Sequence, residues 1–247
     1  RALWLTGPSE FLAFFNEHAK AQSLALSEAG FFKDGEQARE CDEDSLFRAV
    51  SLQPIPAEVR HRKELWGAAC RGEVPELVSP EDLRGDIHLH TVWSDGTASI
   101  EEMAQAAIGL GYSYIAITDH ATDMKMIRGI THERLDEQLQ EIRRVQAKYP
   151  DFRVYSGAEV DILRNGRLYL PDEDLAKLDV VIASIHNDLD SKDEGVKRLI
   201  KAAMNPHVDI LGHPTGRLIG RRPGIGSGLE AVLDAAAGTK TAIEINS

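Results

Sequence analysis

The sequence predicts an α/β fold built on a parallel sheet that closes into a barrel, preceded by a smaller, mostly helical segment. Three observations carry this expectation. From Gly85 onward, short apolar strands alternate with amphipathic helices, the pattern of a parallel sheet covered by helices. Five histidines (His88, His90, His120, His186 and His213) each end a predicted strand. The strand ends of a parallel barrel converge on one mouth, whereas those of an open sheet lie along a line. Before Gly85 the chain is helical, irregular and punctuated by proline.

Pro8-Ser9-Glu10 opens the first helix, with Ser9 as its N-cap and Phe11, Leu12, Phe14 and Phe15 as its apolar side. A short strand or turn covers Leu24 to Phe32 and ends near Asp34-Gly35. A second helix runs from Glu43 to Val50, stopped by Pro54 and Pro56. Ala57 to Arg71 reads as a third, charged helix, and Pro75 and Pro80 bracket a linker.

Asp86 to Thr91 is then the first strand of the alternating region, and Ser99-Ile100-Glu101-Glu102 has the capping-box form before a helix that ends at Gly109 or Gly111. Tyr112 to Thr118 is the second strand. Thr131 caps a long helix with Leu135, Leu139, Ile142 and Val145 at helical spacing. Phe152 to Ile162 is the third strand. A turn at Asn165-Gly166 leads to a short helix over Pro171 to Leu178. Strands at Val180 to His186, Val208 to His213 and Thr241 to Asn246 follow, separated by helices over Glu194 to Met204 and Gly228 to Ala237.

Composition narrows the function classes. The 247 residues are 43% hydrophobic and 28% charged, which excludes a disordered tail, a collagen-like repeat and a coiled coil. No apolar run approaches the roughly 20 residues that cross a bilayer, and no basic segment with a small-residue cleavage site opens the chain. Two cysteines, Cys41 and Cys70, are too few for a disulfide framework, so a reducing cytoplasm is the expected compartment. The formal charge of −12 argues against a module that grips nucleic acid through a basic surface. If the chain handles phosphate, bound metal ions are the natural source of positive charge.

The histidines supply a place for such ions. His88 and His90, at i and i+2 on one strand, point to the same face and can bind one ion. Asp119 and Glu159 also lie at strand ends, and Asp95 lies just beyond the first strand. A carboxylate such as Glu159 between imidazole clusters can bridge two metals, and Gly157 before it allows close backbone approach. Paired ions about 3.5–4 Å apart stabilise the attacking and leaving oxygens of a phosphoryl displacement. Imidazole with carboxylate suits Zn, Mn or Fe and does not choose among them. His18, His61, His132 and His207 lie in helices or before a strand and read as ordinary surface residues.

Five segments together resemble the PHP (polymerase and histidinol phosphatase) domain. They are Gly85-Asp-Ile-His88-Leu-His90-Thr-Val-Trp-Ser-Asp95-Gly, Ile117-Thr-Asp119-His120, Gly157-Ala-Glu159-Val-Asp161-Ile, Ala183-Ser-Ile-His186 and Leu211-Gly-His213-Pro-Thr-Gly-Arg217. The N-terminal segments Ala2-Leu-Trp-Leu-Thr6-Gly7-Pro8-Ser9, Ala29-Gly30-Phe31-Phe32, Ile55-Pro56-Ala57-Glu58-Val59-Arg60 and Val74-Pro75-Glu76-Leu77-Val78 resemble the part of bacterial and archaeal family X DNA polymerases that precedes their PHP domain.

The resemblance implies a distorted (β/α)7 TIM-like barrel over residues 85–247, a linker over 57–84, and the end of a polymerase module over 1–56. It implies up to three divalent metals. The first would take His88, His90 and Glu159, the second Glu159, His186 and His213, and the third Asp95 and His120. Glu159 and His186 would act at the reaction centre, with Arg217 as a phosphate-binding arginine and Arg221 and Arg222 as weaker candidates. The activity implied is a metal-dependent phosphoesterase, a 3′→5′ exonuclease acting on DNA 3′ ends beside a repair polymerase. The alternatives are a small-molecule phosphatase resembling histidinol phosphatase, or a non-catalytic module that props the polymerase.

Two departures from the family pattern set further expectations. The family's last strand carries an Asp-x-His motif, and the sequence reaches Ser247 before any such strand, so the barrel is expected to be incomplete, with Glu244 and Asn246 as partial substitutes. No paired palm aspartates precede Arg1, so the chain is expected to be a fragment that cannot itself polymerise DNA.

Overall fold

A computed structural model of the chain describes residues 2–34, 36–37, 42–187, 192–225 and 228–245. The chain forms two compact units, Arg1–Asp82 and Leu83–Ser247.

The first unit contains helices α1 (Ala2–Thr6), α2 (Ser9–Ala21), α3 (Glu43–Ala49) and α4 (Glu64–Arg71) and a small antiparallel sheet of β1 (Leu24–Ser27), β2 (Gly30–Lys33) and β3 (Glu36–Gln37). The segment expected to be a strand or turn is thus a hairpin, with Leu24 opposite Lys33. Ser9 is the first helical residue rather than the cap; Pro8 holds that place without a side-chain bond. Phe11, Phe15, Phe47 and Ile55 are fully buried around Arg60, which is 1% exposed. The Arg60 guanidinium lies over the Phe11 and Phe47 rings and donates to the Ile55 carbonyl, Thr6 and Glu43.

That inward turn of Arg60 divides the helix expected over Ala57 to Arg71. A 3-10 turn at Ala57–Val59 and α4 flank a bend where the Arg60 carbonyl accepts the Trp66 indole N–H. The segment 57–84, expected as a linker, mostly belongs to this unit. Ala68, Ala69 and Val74 sit in its core, and the Gln53 amide bonds both backbone groups of Val74.

The second unit runs β4 (Gly85–Leu89), α5 (Ile100–Gly109), β5 (Tyr114–Ile117), β6 (His120–Ala121), α6 (His132–Lys148), β7 (Arg153–Asp161), α7 (Asp172–Leu175), β8 (Val180–Ser184), α8 (Lys192–Ala203), β9 (Ile210–Leu211), α9 (Leu229–Thr239) and β10 (Ala242–Ile243). The strands lie in the order β4-β5-β7-β8-β9-β10, every pair is parallel, and β6 continues alongside β7. The Ser99 and Glu102 capping box opens α5 as expected. Helix α6 buries Leu135, Leu139, Ile142 and Val145 on the sheet, with Gln138 in the same stripe.

The result is an α/β fold with a curled, half-barrel sheet. Closure through backbone pairing of β4 with β10 does not occur among the described residues, and β9 and β10 are each only two residues long. The two edges instead meet through side chains, His88 Nδ1 lying 2.5 Å from Glu244 Oε1. Among the described residues no helix is long and apolar enough to cross a membrane.

Candidate metal centre

Strand β7 places the central carboxylate. It pairs with β5 along its first half and with β6 along its second, so His120 lies directly opposite Glu159. The step between β5 and β6 is held by the Thr118 hydroxyl, which donates to the Leu89 carbonyl and accepts the Leu89 N–H. A Cβ at Gly157 would lie 2.7 Å from the Val180 carbonyl, so glycine lets β7 approach β8 here. Just after β9, a Cβ at Gly212 would collide with Ser184 Oγ, so glycine brings His213 to the same mouth. His213 itself adopts φ +26°, a strained conformation for a non-glycine residue.

Glu159 is 1% exposed and is ringed by five imidazoles. Its Oε1 lies 2.8 Å from His213 Nε2, 3.1 Å from His186 Nε2 and 3.4 Å from His88 Nε2. Its Oε2 lies 2.9 Å from His120 Nδ1 and 3.3 Å from His90 Nε2. A second layer of carboxylates orients the rings. His88 Nδ1 meets Glu244 at 2.5 Å, His186 Nδ1 meets Asp161 at 2.6 Å and His90 Nδ1 meets Asp95 at 2.9 Å. Glu244 also accepts the His213 backbone N–H at 2.5 Å. The rings line a cavity of about 570 Å³.

The loop that carries Asp95 is fixed by Asp119, which is fully buried. Its Oδ1 accepts from Thr91 N–H (2.7 Å) and the Ser94 hydroxyl (2.6 Å), and its Oδ2 from the Thr91 hydroxyl (2.7 Å) and Gln138 (2.8 Å). This explains the polar residue in the apolar stripe of α6.

Burial opposes protonation of His88, yet Glu159 and Glu244 outweigh it and hold its pKa up at about 10. His186 is likewise pushed up to about 9, burial being overcome by Asp161 and Glu159. Burial alone would raise the pKa of Glu159, but the close imidazoles of His120, His186, His213 and His88 hold it far below the usual carboxylate range.

The donor set fits divalent cations. His90 Nε2 and His120 Nδ1 are buried and have no hydrogen-bond partner among the described residues, although both face Glu159. Three groups each bring one ligand atom per residue within 4.8 Å of the others: His88-His90-Glu159, His90-Asp95-His120 and His120-Glu159-His186. The first matches the expected set. The third group has His120 where His213 was expected, and the Asp95 group gains His90.

Metal ligation needs neutral imidazole, so cations must displace the protons that His88 and His186 carry at neutral pH. Adding Zn²⁺ to the metal-free chain in weak buffer is expected to release about two protons per chain near neutral pH. The release falls away as pH rises through 9 to 10. Stability from these pairs is likewise present below the unfolded histidine value of about 6.5 and lost through the same window. Proton release that is flat from neutral to pH 10 would contradict this account.

Among the expected site residues, His88, His90, Asp95, His120, Glu159, His186 and His213 come together. Arg217 does not join them. Its side chain is exposed and lines a separate depression of about 370 Å³ with Leu218, Ile219, Arg221 and Arg222. Arg222 donates Nε–H to the Gly216 carbonyl instead. Glu244 lies within the site, whereas Asn246 falls outside the described residues. Asp161 was not singled out as a site residue, though its i+2 spacing from Glu159 places both on one face of β7.

Residues 86–247 match the PHP domain family. The DNA polymerase/3′-5′ exonuclease PolX of Bacillus subtilis (strain 168) is 39% identical over 244 residues, covering 98% of this chain and 42% of the polymerase. A probable phosphatase of Caldanaerobacter subterraneus subsp. tengcongensis is 37% identical over 167 residues, covering 65% of this chain and 61% of that protein. The chain thus spans less than two thirds of either relative. In structure it resembles the histidinol phosphate phosphatase of Lactococcus lactis solved with zinc, L-histidinol and phosphate. The TM-score is 0.51 at 21% identity, over 66% of this chain and 73% of that one. This likeness concerns the fold.

Proposed function

Because the chain belongs to the PHP domain family, we propose that its histidine-lined cavity is a metal-dependent phosphoesterase site and serves as the 3′→5′ exonuclease module of a family X DNA repair polymerase. The observation that carries the reading is the ring of five imidazoles about one buried carboxylate, with the lone nitrogens of His90 and His120 lacking partners. The similarity to the Bacillus subtilis polymerase supports the polymerase context, since it runs through both units. The similarity to the probable phosphatase covers a smaller part of the chain.

In this reading His88, His90, Asp95, His120, Glu159, His186 and His213 hold up to three Mn, Zn or Fe ions. When bound, such ions supply Lewis acidity and a water of lowered pKa. The chain's own residues do the rest. Glu159 stays ionised and spans the imidazoles from both oxygens. Asp161 and Glu244 accept from Nδ1 of His186 and His88, which fixes the tautomer and leaves Nε2 of each ring directed at the cavity. The low exposure of Glu159 and His120 keeps bulk water from their shared edge.

Elemental analysis of protein purified without chelator is the first test. Two or three equivalents of Mn, Zn or Fe per chain are expected, together with hydrolysis of a 3′-labelled single-stranded oligonucleotide that stops on chelation and returns with Mn²⁺. Metal retention with no hydrolysis of either an oligonucleotide or histidinol phosphate would instead favour the non-catalytic module. Faster hydrolysis of histidinol phosphate would favour the small-molecule phosphatase.

A further inference from the structure

Residues 210–229 contain no Asp or Glu, although the chain carries 40 acidic residues against 28 Lys and Arg. Arg217, Arg221 and Arg222 all fall in this stretch, and the structure sets them on a built finger. The Gly216 N–H closes a turn onto the His213 carbonyl (2.9 Å), and the Ile225 N–H donates to the Thr215 carbonyl (2.8 Å). Leu218 and Arg222 pair as an antiparallel bridge, and Gly220 turns the tip at φ +73°. Arg222 pins the stem through the Gly216 carbonyl at 2.8 Å, and Ile225 is buried in the core.

The tip faces outward. Arg217 and Arg221 are exposed, Ile219 is 83% exposed and Leu218 48%. Arg217 stands four residues from His213, a reach of at most about 14 Å from the cavity. A small monoester can be held wholly within a cavity of about 570 Å³ and needs no such extension. A strand does, because its neighbouring phosphates and bases lie outside the cavity when one phosphate lies within it. In a chain of charge −12 a polyanion is repelled by most of the surface, so an acid-free arginine finger beside the mouth has a specific use.

We infer that residues 217–223 form a strand-holding site for single-stranded nucleic acid. Arg217 and Arg221 contact phosphates flanking the one in the cavity, and Ile219 packs against an unstacked base. The inference rests on the proposed reading of the cavity and adds the residues that hold the strand outside it.

The test uses the full Mn²⁺-loaded chain, its Arg217→Ala/Arg221→Ala variant and an Ile219→Ser variant. Binding of a labelled oligothymidylate of about 16 nucleotides is followed between about 50 and 200 mM salt. Hydrolysis of the same strand and of p-nitrophenyl phosphate is measured in parallel. The double variant is expected to bind the strand about tenfold more weakly at low salt, with a log–log salt slope shallower by about 1.4 for two lost phosphate contacts. Its kcat/KM falls on the strand and not on p-nitrophenyl phosphate. Ile219→Ser weakens binding and leaves the salt slope unchanged.

Strand binding equal to the parent overturns the finger while leaving the phosphoesterase reading intact. A parent chain that hydrolyses neither probe removes that reading, and the binding comparison still decides the finger. Arginine-dependent binding to phosphatidylserine vesicles in place of the strand overturns the inference in favour of a membrane surface.

Discussion

Glu159→Gln is expected to strip the chain of its metal and lower phosphoester turnover by about 10³-fold or more. The substitution keeps the shape of the side chain, which matters because Glu159 is 1% exposed and cannot be enlarged or removed without repacking. What it removes is the charge at the focus of five imidazoles. Gln can still accept at its carbonyl, but its amide nitrogen would face the His90 and His120 rings, where a carboxylate oxygen now sits. The two nitrogens that lack hydrogen bonds then have no acceptor and no shared cation. Metal content by elemental analysis and turnover on a labelled oligonucleotide decide the matter. A variant that keeps two equivalents of metal and activity within tenfold of the parent would show that Glu159 is not the focus.

Asp119→Ala is expected to be the most destabilising single change in the second unit, about 3 kcal/mol. Four donors converge on this buried carboxylate, from Thr91, Ser94 and Gln138, and truncation leaves them without an acceptor in a dry interior. For a unit of this size that corresponds to a fall in melting temperature of about 6–12 °C. The damage extends to the site, since the 91–96 loop carries Asp95 to His90 and His120. Metal affinity should therefore drop together with stability. Asp119→Asn should be destabilising too, because one amide N–H₂ would meet donors. Melting within a degree of the parent would refute this role.

Much of the site was legible because strand periodicity and histidine chemistry point the same way. His-x-His on one strand face, and single histidines ending later strands, leave few arrangements other than a shared mouth. Glu159 could be placed by the same reasoning. Asp161 was equally accessible, two residues further along the same face. Glu244 could be given a face but not a partner, since nothing in a sequence says that the two edges of the sheet come within side-chain reach. Arg217 looked like part of the His213 motif because it is close in sequence. The turn at Gly216, with φ +57°, carries the chain out of the cavity before Arg217 is reached.

Two further features lie beyond the sequence for similar reasons. Convergence of strand ends implies a hydrogen-bonded barrel, whereas the sheet achieves it by curl without closure among the described residues. Prolines and surface charge give the segment 57–84 the composition of a linker. Its contribution to the core comes from small residues, Ala68 and Ala69, whose burial leaves a weak apolar signal.

The His88–Glu244 contact gives the sheet an edge-to-edge latch made of side chains. Such a latch can release without breaking any rung between neighbouring strands, so the outer edge opens at far lower free energy than the whole unit. Cation capture at His88 Nε2 would fix the ring and thereby the Nδ1 contact to Glu244, so a loaded cavity holds the latch shut. Amide hydrogens near β10, such as those of Ala242 and Glu244 bonded to Asp209 and Leu211, should then exchange more slowly with metal present. Those of β5 and β7 should change little. Filling the cavity and quieting the far edge of the sheet are in this sense one equilibrium, observed at two places in the chain.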